Sequence, residues 1–130
     1  MAWTVKYHPK NCVIEVIYSG LVTPEDVKNA SIKRIDTQKE TGSKLVLSNT
    51  QQAKDTNVSV ADLFDLPHTL YQKMEVSKNT KIALVLSRNE KVNDLCRFWE
   101  TACFNRGWKV EIFTDRTEAI DWLLDKNIGS

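Results

Sequence analysis

The side chains able to do chemistry are few in this chain and stand far apart. His8 and His68 are separated by 60 residues, with no HxxxH or HExxH pattern to hold a metal between them. The three cysteines, Cys12, Cys96 and Cys103, form an odd set without CxxC spacing, against both a disulfide framework and a zinc site. Reduced thiols and no metal are expected. Nucleophilic catalysis has the GxSxG turn or a close Cys-His pair as its local signature, and neither is present. No carboxylate pair stands out beyond those at helix caps and on exposed helix faces, and with four glycines in all a backbone cradle for phosphate is unsupported. A triad drawn from distant segments leaves no mark in a sequence. What is legible assigns no catalytic residue and no cofactor, and points to a binding protein rather than an enzyme.

One serine stands out by its position. In LSNTQQAKDTNVSVADL, residues 47 to 63, a buried-looking strand gives way to about nine polar positions and then to a helix that restarts at Ser59. Ser59 with Asp62 three residues on is a capping box, the hydroxyl accepting from the N3 amide and the carboxylate reaching back. The same serine is a candidate phosphorylation site. A phosphate there gains about 0.3 to 1 kcal/mol from the helix N-terminus but meets repulsion from Asp62. The cap needs nothing further and takes precedence.

The elements that position these residues follow from periodicity. TVKY and CVIEVIYSG flank the polar break HPKN and read as a β-hairpin, with Ile14, Val16 and Tyr18 on a fully apolar face. TPEDV starts a helix, with Thr23 as cap, Pro24 at the first position and Asp26 completing a box, and the helix runs to Gly42 on a ragged stripe of Val27, Ala30, Ile32 and Ile35. KLVLS is a strand, the stretch from residue 50 to 58 a solvated loop, and the helix from SVAD is broken or restarted by Pro67. KIALVLS is an apolar run of the kind found in a central strand covered on both faces. Val92, Leu95, Cys96, Trp99, Ala102 and Cys103 form one helical stripe closed by Gly107, which turns both cysteines inward as small buried hydrophobes. WKVEIFT is the last strand, and DRTEAIDWLL a helix with Asp115 as cap, Glu118 completing a box, and Ala119, Ile120, Leu123 and Leu124 facing in. The order β-β-α-β-α-β-α-β-α predicts a mostly parallel sheet with helical cover and an N-terminal hairpin.

Composition narrows the partners. Eighteen basic and seventeen acidic residues among 130 give a net charge of +1, and no basic run tracks a phosphate backbone, so nucleic acid is not expected. Neither a signal-peptide h-region nor an apolar run long enough for a membrane span is found, and a single cytoplasmic domain is expected.

Two places suggest a binding site. In open α/β sheets ligands gather beyond the carboxyl ends of parallel strands, near a switch in strand order, and here those ends carry Asn49 with Thr50 opening the gap, Ser87 with Arg88, and Thr114. Each is also an ordinary turn or cap residue. Phe98 and Phe104 fall off the stripe of their helix, and Phe64, Leu66 and Leu70 beside Pro67 add a second apolar group. If the two groups meet they form a groove or partner surface.

RFWETACFNRGWKVEIFTDRTEAIDWLL, with YHPKNCVIEVIYSGLVTPEDV near the start, resembles the SpoIIAA-like family of the STAS superfamily over nearly the whole chain, most specifically in NRGW and the strand, FTD and EAIDWL helix that come after it. The resemblance implies an α/β STAS-like sandwich, shared in outline with anti-sigma-factor antagonists and lipid-carrying CRAL-TRIO domains, which bind proteins or small apolar molecules. The antagonists carry a phosphorylatable serine in a DSSG-type motif after the third strand. Ser59 matches it by position only, because NVSVAD lacks the preceding Asp, the second Ser and the Gly. Two functions are therefore expected as alternatives: a regulatory module that engages a protein partner or itself through residues 50 to 58 and the next helix, or a carrier or sensor of a small apolar, lipid-like ligand near Phe64, Leu70 and Phe98.

Overall fold

The structure, a computed structural model, describes residues 2–125, the side chains of residues 66 and 67 excepted; the expectation for Leu66 thus lies outside the described side chains. Strands β1 (Trp3–His8) and β2 (Val13–Val22) form the expected antiparallel pair, with Trp3 opposite Tyr18 and His8 opposite Val13. Helix α1 (Pro24–Thr41) opens on the predicted box: the Asp26 N–H donates to Thr23 Oγ1 at 3.1 Å, and the Thr23 N–H donates to Asp26 Oδ2 at 3.0 Å. Its end carries Gly42 in the left-handed conformation, which glycine adopts without a Cβ penalty.

Strand β3 (Leu45–Thr56) corrects the largest sequence expectation. Most of the supposed loop is strand, in register with the second half of β2 from Ser19 opposite Gln52 to Val22 opposite Thr56. Its polar residues conceal a pattern: Ala53 and Thr56 are buried while Gln51, Gln52, Lys54 and Asp55 are exposed. Only one neighbour continues that far, because β4 (Lys81–Val85) pairs with β3 no further than Asn49. A two-stranded extension leaves most side chains in solvent, and a polar sequence suits it. Register shifts in β2 around residues 17 to 21 accompany a positive φ of 63° at Gly20, so the ribbon is bent rather than flat.

Helix α2 (Val60–Asp65) passes through one π-helical turn (Leu66–Leu70) into the short α3 (Tyr71–Lys73), as expected near a proline. Helix α4 (Glu90–Asn105) is capped by Asn89, which accepts from the Val92 N–H at 3.0 Å. Strand β5 (Lys109–Phe113) and helix α5 (Arg116–Leu123) follow as the last described elements. Asp115 caps α5 through the Thr117 N–H at 3.0 Å, one residue before the position expected from Glu118.

The strands lie in sequential order, β1-β2-β3-β4-β5, with β2 to β5 parallel. Right-handed crossovers that always advance in one direction put their helices on one face of a sheet. One core accordingly joins Ile35 of α1, Leu63 of α2, Tyr71 of α3 and Trp99 of α4 to Val46, Ile82 and Leu84 of the sheet. Among the described residues the other face is covered by α5, where Ala119 and Leu123 pack on Val13, Leu47, Ala83 and Val85. No described helix is long and apolar enough to cross a membrane.

Candidate functional site

Sequential strand order removes the reversal at which a sheet-end crevice opens, so the polar strand ends do not form the ring expected of them. Alternation splits them further. Thr50 is buried on the helix-covered face, where its hydroxyl donates to Val85 O at 2.6 Å. Asn49, one residue earlier, turns to the α5 face and donates through Nδ2 to Glu15 Oε2 at 3.0 Å. Ser87, Arg88 and Thr114 do share a surface groove with Gln51, Lys54 and Arg97. Within it Ser87 has structural work: its N–H donates to Asn93 Oδ1 at 2.9 Å and its hydroxyl accepts from the Asn89 N–H at 2.8 Å.

Ser59 is a cap. The Asp62 N–H donates to its hydroxyl oxygen at 3.2 Å, and Asp62 Oδ2 accepts from both the N–H and the hydroxyl of Ser59 at 2.8 Å. Those bonds hold the Asp62 carboxyl below its ordinary range. Phe98 and Leu70 are partly buried against the main core, which leaves Phe64 (43 % exposed) and Phe104 (73 % exposed) as the aromatic surface. The Arg106 guanidinium lies 5.8 Å from the Phe64 ring centre, and His68 stacks on that ring at 5.2 Å.

Room for a ligand lies beneath the helices. A cavity of ≈ 100 Å³ lies between β2, β3 and β4 on one side and α1 to α4 on the other, lined by apolar groups such as Val16, Val46, Ile82, Leu84 and Leu63. Alternation along β2 and β3 sends Val16, Tyr18, Val46, Ser48 and Thr50 to this side, and α4 contributes Trp99 and Cys96 from the predicted stripe. Burial pushes the Cys96 thiol up to about 11 and that of Cys103 up to about 12, so neither is a thiolate near neutral pH.

One charge sits among these groups. Arg34 of α1 is 3 % exposed, lines the cavity, and takes part in none of the ion pairs formed among the described residues. Its Nε and Nη2 are buried without a hydrogen-bond partner among those residues. Its guanidinium carbon stands 4.8 Å from the centre of the Tyr71 ring, a ring held edge-on by Trp99 and Trp108 at 6.3 and 5.4 Å. Burial raises the Tyr71 hydroxyl to about 12 against the lowering effect of Arg34, so Tyr71 is a neutral phenol and offers the cation its ring face rather than a counter-charge. A cation–π contact returns about 2 kcal/mol when desolvated, whereas burying an unpaired ion costs several. The sequence reading missed Arg34. Its signal is the raggedness of the α1 stripe: residues 27, 31, 34 and 38 share one helical face, so an arginine stands where an apolar residue is the default.

The opposite face holds a second buried charge, and this one is paired. Glu15 is 3 % exposed and accepts from Arg116 Nε at 3.0 Å and Nη2 at 2.7 Å, from Asn49, and from His8 Nε2 at 2.8 Å. Burial raises its pKa, but the bonds from Arg116, Asn49 and His8 outweigh burial and leave it at about 2. Every lone-pair direction of the carboxylate is used, which makes it a tie between β1, β2, β3 and α5 rather than a reactive group. Among the described residues no three His, Cys, Asp or Glu side chains converge on a point that could hold a metal.

No protein-family model matches the chain, and no curated protein matches it. Among solved structures, it is similar to the crystal structure of an uncharacterised protein of the DUF3478 family with a SpoIIAA-like fold from Shewanella loihica PV-4, at 16% identity and a TM-score of 0.55, over 94% of this chain and 92% of that one. The chain therefore has a SpoIIAA-like fold, as its sequence resemblance implies.

Proposed function

We propose that this chain is a non-enzymatic, cytoplasmic binding module of the STAS-like type whose ligand is a small apolar molecule held between the sheet and the helices. The observation that carries this reading is the cavity itself: native cores are packed with few voids larger than a water molecule, and one of ≈ 100 Å³ with apolar walls is comparable with the ~150 Å³ voids that take up benzene-sized guests. The regulatory reading through residues 50 to 58 and the next helix loses its loop, because residues 50 to 56 are strand, while the SpoIIAA-like fold still fits such a module. Native mass spectrometry of freshly purified protein tests the proposal. A bound mass that leaves on denaturation supports it. A bare chain that also fails to take up added octanol or benzene overturns it.

A second reading keeps a protein interface, motivated by the exposed aromatics Phe64, beside Arg106, and Phe104. Exposed apolar groups of this kind mark contact surfaces more often than chance allows. Sedimentation velocity of wild type and Phe104→Ser tests self-association through that patch. Identical profiles at high concentration remove it.

A further inference from the structure

If the cavity holds a ligand, as the proposed function requires, the chemistry of its wall says more about that ligand than its size does. The guanidinium of Arg34 is a buried positive charge beside an apolar cavity. It is the one charged side chain among the described residues that line the cavity. Among the fully buried polar atoms of lining residues, those without a partner are Arg34 Nε, Arg34 Nη2 and Trp99 Nε1, and all three are donors. A complementary guest is an acceptor, and an anion.

The geometry narrows the anion. Nε and Nη2 are the two nitrogens of one edge of the planar guanidinium, a fork that matches the two oxygens of a carboxylate. The same edge, on Arg116, grips Glu15 at 3.0 and 2.7 Å on the other face of this sheet. One guanidinium balances one negative charge. A phosphate monoester brings about 1.5 to 2 charges, and no second cation among the described residues lines the cavity. The remaining wall, Val16, Val46, Ile82 and Leu84 among others, suits hydrocarbon. We propose that the ligand is an apolar monocarboxylic acid, with its carboxylate paired with the guanidinium of Arg34 and its hydrocarbon body against the sheet.

Depth along α1 agrees with this orientation. Val27 is half-buried near the start of the helix, and Arg34 lies seven residues on, about 10 Å along the axis, between the fully buried Ala30 and the buried Gln38. A carboxylate on Arg34 is thus shielded from water, where a charge-assisted bond is strongest.

Calorimetric titration with octanoate, octanol and octyl phosphate at neutral pH decides between the sources of affinity. Octanoate is expected to bind about tenfold or more tightly than octanol, and Arg34→Met is expected to erase that preference. Equal affinity for octanoate and octanol overturns the carboxylate assignment while leaving an apolar site standing. Tighter binding of octyl phosphate overturns it in favour of a phosphate, and an octanoate preference that survives in Arg34→Met moves the anion to another group. If neither octanoate nor octanol binds while benzene is taken up, the carboxylate assignment falls and the apolar cavity stands; if benzene is refused as well, both fall. The wild-type comparison decides the matter even if the variant does not fold, although replacing an unpaired buried guanidinium by Met is expected to preserve the fold.

Discussion

At the scale of single residues, the two buried charges behave oppositely because one is paired and the other is not. Glu15 has a depressed pKa of about 2 against an ordinary 4.5, so its ionised form stabilises the fold above the unfolded value and that contribution is lost as pH falls through the folded one. Wild type is therefore expected to lose on the order of 2 kcal/mol between about pH 4.5 and 2, a figure discounted because Arg116 is partly exposed. Glu15→Gln, which cannot ionise, is expected to be less stable at neutral pH and to lack this acid-sensitive component; urea denaturation across that pH range measures both. A wild type and variant with parallel pH profiles would falsify the assignment. Ser59 belongs to a simpler class. Its bonds to Asp62 are those of a cap, so Ser59→Ala is expected to cost about 0.5 to 2 kcal/mol and Ser59→Asp much less, as judged by thermal melting. The thiols divide by depth: Cys12 is exposed while Cys96 and Cys103 are buried. Ellman's reagent is expected to label one thiol in the native protein and all three in urea.

At the scale of elements, β3 decides what the region after residue 49 tolerates. Val22 O accepts from the Thr56 hydroxyl at 2.8 Å and from the Asn57 N–H at 3.3 Å, and Ala53 and Val58 belong to the core. A deletion of residues 51 to 55 is harmless in a solvated loop, since each change of loop length alters closure entropy only slightly. In a strand it removes ladder bonds and pulls Val58 from its place. We expect the deletion variant to melt at least about 10 °C lower or to lose its cooperative transition, and an unaltered melting temperature contradicts the strand assignment. Helix α1 shows the converse relation between sequence and burial. Its buried face includes Ser31, Arg34 and Gln38, so it is held to the sheet by a thinner apolar stripe than α4, and the room beneath it follows from that composition.

At the scale of the whole molecule, sequential strand order places four helices on one face and one on the other, so the ligand space lies under the thicker helical layer instead of at a sheet end. Filling apolar space in a core with hydrocarbon is a recurrent route to added stability. Ala53 is 4 % exposed, lies in a strand, and lines the cavity. Ala53→Ile adds hydrocarbon there with a side chain suited to strands and is expected to raise stability by roughly 0.5 to 1 kcal/mol while weakening octanol uptake. Calorimetric scanning and titration of the same sample check the pair, and a variant that gains stability with undiminished uptake places the guest elsewhere.

The amino-acid sequence by itself determined the element order, the helix starts at Thr23, Ser59 and Asp115, the apolar strand at residues 81 to 85 and the inward cysteines of α4. These rest on local periodicity and on side chains that bond to backbone a few residues away, which is information contained in short windows. Tertiary structure decided the rest. Whether residues 50 to 56 form strand or loop depended on β2 being present alongside, since a polar ribbon has no apolar alternation strong enough to announce it. That Glu15 meets Arg116 across 101 positions, and that Arg34 meets no carboxylate among the described residues, depend on which faces the folded sheet sets opposite one another. Both arginines are bare charges in the sequence. Only packing makes one a structural tie and buries the other beside a cavity, because desolvation and pairing are properties of surroundings assembled from segments far apart in the chain.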